Sequence, residues 1–325
     1  LGGPTEYTRS SISTCRTGLV LPTLNAGDGL SDWLAALRSQ TYQPDKLLLV
    51  DSASTDQTVL LARKAGFEII EISRQAFNHG GTRQMCVEHL DGFDLVAFVT
   101  QDAILAHPRS LENLLVWFED PRVGAAYGRQ LPRPDAGPIE AHARLFNYPE
   151  TTQVKSREDI PRLGLKTAFI SNSFAAYRRV ALLEAGGFPL DTIQNEDTFA
   201  ASRMILNGWK LVYAGDATVY HSHPLTIGQE FRRYFDIGVF HARAPWIREQ
   251  FGQAEGEGLR FVRSELGYLF RRRPTAIPSA LLRTGMKLAG YQLGSIEKLL
   301  PSALKLKLSG NKAFWRNHAK EEKSA

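Results

Sequence analysis

Short apolar runs alternate with stretches of helical spacing through the first hundred residues, and this alternation leaves few architectures open. Thr17–Pro22 (TGLVLP), Lys46–Asp51 (KLLLVD), Phe67–Ile72 and Leu95–Thr100 (LVAFVT) read as buried strands. Between them, Leu30–Gln40 sets Leu30, Trp33, Leu34 and Leu37 on one helical face. Gln57–Ala65 and Gly81–Leu90 read as further helices, the first with N-cap chemistry at Ser54 to Asp56. Alternation of this kind builds a parallel α/β sheet that binds ligands at the carboxyl ends of its strands. Beyond Leu131 the pattern weakens. Leu131–Pro138 reads as a proline-rich loop, Phe169–Tyr177 as a strand or buried segment, and Ala181–Gly187 and Glu196–Asn207 as helices. Leu211–Ala214 and Ala217–His221 read as two short strands, and helical patterns dominate from Gln229 onward.

The chain has 325 residues, 43% hydrophobic and 22% charged, enough to bury a full core and unlike a disordered composition. It holds no apolar run of the ~18 residues that a membrane-spanning helix needs, and no basic-then-apolar leader opens it. Leu1–Thr17 is polar and expected to be loosely ordered. Two cysteines, Cys15 and Cys86, make no metal-type pair and fit a reducing cytoplasm. The net charge of +5 gathers in the tail, where Lys and Arg dominate from Arg260 to Lys323. No zinc knuckle and no aromatic-and-glycine RNA-binding signature accompanies that charge, so nucleic acid is excluded as a partner and a membrane surface is expected. Arg283, Lys287, Lys298, Lys305 and Lys307 interleave with leucines, as in a helix lying on a surface. The alternative is a packing helix, which would suit a homodimer.

Chemistry-bearing residues fall at the ends of these strands. Asp51 closes the second and precedes the turn Ser52–Asp56, where it either accepts from a base or ribose or serves a capping turn. No GxGxxG follows the first strand, which argues against a dinucleotide fold. In Phe77-Asn78-His79-Gly80-Gly81-Thr82-Arg83, two glycines precede a helix and Arg83 opposes its dipole. A cation there is better explained by an anionic ligand than by helix stability; the plain reading is a turn with a surface arginine. Asp102 ends the fourth strand, and a single carboxylate suffices for Mg²⁺ when phosphates supply the other ligands. Glu196 and Asp197 open a helix, where acids also favour the dipole. Two residues apart, His221 and His223 share one face of a strand.

Taken in order, these pieces resemble the family 2 glycosyltransferases of the GT-A fold. The matching elements are Val20-Leu21-Pro22-Thr23-Leu24-Asn25, Val50 to Asp56, Thr100-Gln101-Asp102-Ala103, Asn195-Glu196-Asp197 and Val219-Tyr220-His221. Phe77–Arg83 (FNHGGTR) is similar to the signature of bacterial rhamnosyltransferases in that family, as are Tyr291-Gln292-Leu293-Gly294, Leu299-Leu300-Pro301 and Phe314-Trp315. The resemblance implies a Rossmann-like, mostly parallel central sheet flanked by helices, with a helical C-terminal extension. The catalytic domain would span 1–225 and a helical, basic region 226–325.

The resemblance also implies roles. Pro22, Thr23, Asn25, Asp51, Asn78, Gly81, Arg83, Gln101 and Asp102 would line the nucleotide-sugar site, with Asp51 accepting from the pyrimidine N3–H. Asp102 would hold Mg²⁺ or Mn²⁺ with His221; Thr100 and Gln101 stand where many relatives carry acids, so the ligand set is reduced. Asp197 would be the general base of an inverting transfer, with Glu196 beside it. Gln229 to Tyr234 resembles the Q-x-x-R-W element of processive members, which would bring Arg232 or Arg233 to a diphosphate; the alternative is an amphipathic interface helix. The enzyme implied is a hexosyltransferase moving L-rhamnose from dTDP-L-rhamnose to a lipopolysaccharide core or O-antigen acceptor. It would work in the cytoplasm, peripheral at the inner face of the membrane. A UDP- or GDP-sugar donor, a sugar nucleotidyltransferase and a non-catalytic binding module are the competing readings. Leu21–Gly29 lacks the Gly-rich, Arg- and Lys-bearing loop of the second of these, and a pure binding module needs no base.

Overall fold

The computed structural model describes residues 15–222, 224–252 and 256–324. The expected polar start falls mostly outside the described residues, and His223 lies outside them entirely. Nine strands form one sheet: β1 Thr17–Thr23, β2 Lys46–Asp51, β3 Glu68–Glu71, β4 Leu95–Val99, β5 Ile104–Leu105, β6 Val123–Leu131, β7 Gln153–Lys155, β8 Phe174–Arg178 and β9 Lys210–Tyr220. The helices packed on the amino-terminal half are α1 Gly27–Arg38, α2 Thr58–Lys64, α3 His79–His89 and α4 Ser110–Leu115. Then come α5 Pro138–Asn147, α6 Ile160–Leu163, α7 Arg179–Glu184 and α8 Glu196–Leu206. The carboxyl-terminal set is α9 Ile227–Arg243, α10 Pro245–Phe251, α11 Glu257–Arg272, α12 Ile277–Ser295, α13 Ser302–Leu308 and α14 Lys312–Ser324.

The sheet runs β3-β2-β1-β4-β8-β6-β9-β5, with β7 also on β9. Its first four strands are parallel, as the alternation predicts. The rest is mixed: β8 runs antiparallel to both β4 and β6, while β6 and β9 are parallel. Alternate residues of β1 serve two cores. Leu19 and Leu21 pack with Trp33 of α1, and Val20 packs with Phe98 and the helices of the other face.

Three local readings change. The two short strands expected around Leu211 and Ala217 are one strand, β9, interrupted by a bulge where the pairing jumps from Gly128↔Ala214 to Arg129↔Thr218. The run Phe169–Tyr177 is extended only from Phe174; Ser171–Ser173 forms a loop instead. Strand β6 (VGAAYGRQL) escapes the periodic reading because glycine and alanine fill it, and six of its nine residues are buried in an unbroken run.

From Ile227 onward all the described elements are helical, and they join the sheet's own core. Phe235, Val239 and Phe240 of α9, Phe251 of α10, and Phe314 and Trp315 of α14 belong to the cluster that holds Val20 and Phe98. Helix α12 lies directly on α9. A Cβ on Gly294 would stand 2.0 Å from the Phe235 carbonyl oxygen, so Tyr291-Gln292-Leu293-Gly294 is a helix-crossing element. Arg243 covers both Phe314 and Trp315, 5.1 and 5.2 Å from their ring centres. Among the described residues no helix is long and apolar enough to cross a membrane.

Candidate active site

The carboxyl ends of β1 and β2 carry the first part of the site. In-register pairing sets Pro22 beside Val50 and Thr23 beside Asp51. The Asp51 carboxylate is buried and accepts from Thr23 Oγ1 (3.0 Å), Ser54 N (2.7 Å) and Ser54 Oγ (2.5 Å). Asn25, at φ +49°, turns the chain out of β1; its Oδ1 accepts from Thr55 N and its own N–H donates to Ser54 Oγ. Asp56 accepts from Thr58 and from Gly27, joining the loops that start α1 and α2. Gln101 clips the same region, accepting from Leu24 N (2.8 Å) and donating to Leu24 O (3.2 Å). That double bond to backbone engages its amide locally.

Asp102 and His221 meet at the end of β4 and β9, with His221 Nε2 3.5 Å from Asp102 Oδ2. Thr100 Oγ1 donates to Asp102 Oδ1 (2.5 Å). Gln130 of β6 fixes the imidazole. Its Oε1 accepts from Arg144 (2.6 Å), so it is an oxygen, and His221 Nδ1 at 2.8 Å must carry the proton. Nε2 is the nitrogen turned toward the Asp102 carboxylate, and an imidazole and a carboxylate so placed are a pair that a divalent cation can bridge. Among the described residues no third His, Cys, Asp or Glu joins them. The donor set fits Mg²⁺ or Mn²⁺ completed by phosphate oxygens and water. Arg133 was not singled out from sequence; it donates to the Asp102 carbonyl at 3.0 Å and brings a guanidinium to this point.

The second acidic centre lies at the start of α8, after Asn195 at φ +60°. Glu196 is buried and receives Arg83 Nη1 (3.0 Å) and Asn172 Nδ2 (3.0 Å) on one oxygen. Asp197 is half-buried and accepts from Asn172 N (3.2 Å) and Thr198 N (2.7 Å). Burial, then the negative charge of Glu196, raises the Asp197 carboxyl to about 7. Burial also opposes charge on Glu196, but Arg83, His79 and Asn172 outweigh it and hold Glu196 below its usual value. Two adjacent carboxylates are thus driven apart, one kept ionised and one poised to exchange a proton near neutrality.

Arg83, expected beside the nucleotide, does not wait for a ligand's anion. The structure supplies one from the protein: Arg83 is buried and paired with Glu196. Asn78 is the N-cap of α3, its Oδ1 taking Gly80 N and Gly81 N. Arg233 opens onto a cavity between α5, α9 and α12, whereas Arg232 lies over Gly310 at the turn into α14. Asn172 was missed. The loop Ser171–Ser173 joins both halves of the site: Ser171 accepts from Gln130, Asn172 holds Glu196 and Asp197, and Ser173 O accepts from Thr100 N. Its signal was a polar Ser-Asn-Ser inside an apolar run.

A strand-end acid cradle, a carboxylate–histidine pair and a Glu–Asp pair at the start of a helix give the site the side chains of a group transferase. Comparison with known proteins makes this specific: residues 19–186 match the model for Glycosyl transferase family 2, and the chain belongs to that family. It is a glycosyltransferase. Over 300 residues it is 48% identical to the O-antigen chain rhamnosyltransferase RfbN of Salmonella typhimurium, covering 92% of this chain and 96% of that protein. The O-antigen chain rhamnosyltransferase WbaN of Salmonella anatum is 49% identical over 300 residues, covering 92% and 95%. Among solved structures, the mannosyltransferase PcManGT of Pyrobaculum calidifontis, in complex with GDP-Man and Mn²⁺, superposes with a TM-score of 0.55 at 21% identity, covering 94% of this chain and 86% of that one. That likeness bears on the fold, which is the GT-A fold expected from the sequence.

Proposed function

We propose that this glycosyltransferase moves L-rhamnose from dTDP-L-rhamnose, with inversion and with a divalent metal, onto a hydroxyl of an O-antigen or lipopolysaccharide core acceptor. The observation that carries the reading is the loop Ser171–Ser173, which ties the Asp197 carboxylate to the Asp102–His221 pair. The two centres such a transfer needs, a base for the incoming hydroxyl and a charge sink for the leaving diphosphate, then share one anchor. Asp197 takes the acceptor's proton as its oxygen attacks the anomeric carbon from the face opposite the diphosphate, so a β-linked donor gives an α-rhamnoside. Asp102 and His221 would hold the metal, which supplies Lewis-acid stabilisation of the departing charge. Arg133 adds a fixed positive charge beside them. The high identity to two proteins named as O-antigen chain rhamnosyltransferases supports the choice of sugar and acceptor.

The acceptor side is the cavity of about 790 Å³ between α5, α9 and α12. Tyr148 and Phe169 give it flat apolar walls. Glu230 pairs with Arg283 (3.0 Å) and Lys287 (3.6 Å), and Glu140 and Glu230 together face five cations, these two with Arg144, Arg233 and Arg273, which leaves the lining an excess of positive charge. An anionic glycolipid suits that lining. Beyond the cavity, Leu281 and Leu288 share an exposed face of α12, and Phe270 and Leu299 are exposed near Arg271–Arg273 and Lys298. This apolar and basic surface fits the inner face of the cytoplasmic membrane. Phe270→Ser with Leu288→Ser is expected to lower pelleting with phosphatidylglycerol vesicles. Unchanged pelleting with a shift from dimer to monomer would reassign the surface to a second copy.

A panel of nucleotide sugars with Mg²⁺ or Mn²⁺ tests the central reading. Release of dTDP from dTDP-L-rhamnose, abolished by EDTA and restored by metal, is expected, with an α-linked product by NMR. Preferential release of UDP or GDP would reassign the donor. Pyrophosphate release, or turnover unaffected by EDTA, would overturn the reaction class or the metal.

A further inference from the structure

Two segments that the sequence sets apart, Phe77–Arg83 and the tail around Phe314-Trp315, meet at the same place. That place is the loop from Phe188 to Asn195, which delivers Glu196 and Asp197. From one side, Asn78 Nδ2 donates to Leu190 O (2.9 Å) and Gln84 Oε1 accepts from Phe188 N (2.9 Å). Gly80 allows the approach: a Cβ there would stand 1.8 Å from Pro189 O, a distance no side chain tolerates. Arg83 completes this contact by pairing with Glu196.

From the tail, Asn311 Nδ2 donates to Ile193 O (2.8 Å) and His318 Nε2 lies 2.8 Å from Asp191 Oδ1. Ile193, Phe314 and Trp315 are buried in one cluster. The tail is itself anchored on α9, where Asp236 accepts from Ser309 Oγ, Gly310 N and Asn311 N. A loop of this length has little secondary structure of its own, and its carbonyls at Leu190 and Ile193 are satisfied by two amides from distant parts of the chain.

We infer that Asn78 at the N-cap of α3, Arg83 on α3 and Asn311 in the tail are positioning residues, clamping the loop Phe188–Asn195 from two sides so that the Asp197 carboxylate is fixed for proton transfer. The inference rests on the proposed role of Asp197 as base. It assigns the FNHGGTR segment to the geometry of the reacting group, where donor binding was the expectation. A displacement of about 1 Å at a reacting group costs on the order of a hundredfold in rate, so two modest hydrogen bonds have leverage here.

Both asparagines allow a selective test. Asn78 Oδ1 caps α3 and Asn311 Oδ1 accepts from Phe314 N, so aspartate at either position keeps the capping oxygen and removes the N–H that reaches the loop. Asn78→Asp and Asn311→Asp are each expected to lower kcat at least threefold, and the double variant at least tenfold, with the KM for the nucleotide sugar within twofold of the parent. Arg83→Lys, which keeps the charge, is expected to retain more kcat than Arg83→Met. A raised donor KM with kcat preserved in Asn78→Asp would return this segment to donor binding and overturn the inference. Hydrogen exchange across Phe188–Asp197 reads the clamp without turnover. Faster exchange in both aspartate variants is expected even if no nucleotide sugar is consumed, which would sink the transferase mechanism and leave the clamp standing. Unchanged exchange would overturn the clamp whatever the activity.

Discussion

Asp51 and Asp197 are two aspartates of one site, and they are held in opposite ways. Asp51 draws its partners, Thr23 and Ser54, from the two adjoining strand ends, and they give its carboxylate three hydrogen bonds. Asp197 stands beside another carboxylate, and burial together with that neighbour's charge works against its ionisation. Recognition tolerates a relaxed carboxylate. The proposed proton transfer asks for one held close to its point of titration, which Glu196 next door, pinned by Arg83, would provide.

The largest effect that can break this contrast is Asp197→Asn. Loss of a general base costs about 10²–10⁴-fold, so kcat is expected to fall by that range with the affinity for dTDP retained. Stability should move the other way. The folded carboxyl titrates at about 7, above the ~3.9 of an unfolded aspartate, so the folded chain binds this proton more tightly. Stability is therefore lost as pH rises from about 4 through 7. Asparagine carries no charge to lose it with. The variant is expected to melt above the parent at pH 8 and to converge with it near pH 4. A lower melting temperature at pH 8 would mean that the carboxylate is comfortable where it sits, and the contrast with Asp51 would fail.

Asp51→Asn comes next. Hydrogen bonds to a charged group contribute about 1.5–3 kcal/mol, so the donor KM is expected to rise roughly tenfold or more, with a smaller change in kcat. Its melting temperature is expected to fall, since three donors lose an ionised acceptor. A kcat loss as large as that of Asp197→Asn, with KM unmoved, would place Asp51 in the chemistry.

What the sequence disclosed follows the same division. The cradle around Asp51 was legible where its parts are contiguous: the strand Lys46–Asp51 has the ends expected, and Ser54 to Asp56 were expected to be N-cap chemistry. Even there the capping was local in a different sense, since Asp51 holds Ser54 and Asp56 holds Thr58. The second centre was legible only as Glu196-Asp197 on a helix. Its supports come from α3, from β6 and from the loop before β8, and no spacing rule joins such distant residues. Arg83 shows the limit most clearly. Helix electrostatics pointed to an anionic ligand, and the structure sets the protein's own Glu196 against it instead. Gln130 and Arg144, which orient His221, sit on a strand and a helix that local periodicity did not reveal.

The smallest expected effect is the most exact probe of the pair. Tyr177, Tyr148, Arg83 and Glu196 all act on Asp197, and among them Glu196 is the chief source of like charge. Glu196→Gln keeps the oxygen that Arg83 and Asn172 approach and removes the charge. Asp197 then faces burial alone, with Arg83 no longer neutralised beside it, and both changes favour the ionised base. The acid limb of the pH dependence of kcat/KM, expected near pH 7 in the parent, should move to lower pH by up to about one unit. Because the more readily ionised base is also the weaker one, the plateau rate above pH 8 is expected to fall. A limb that stays near pH 7 would show burial to be the whole cause, and Glu196 would then serve Arg83 and the loop, not the proton.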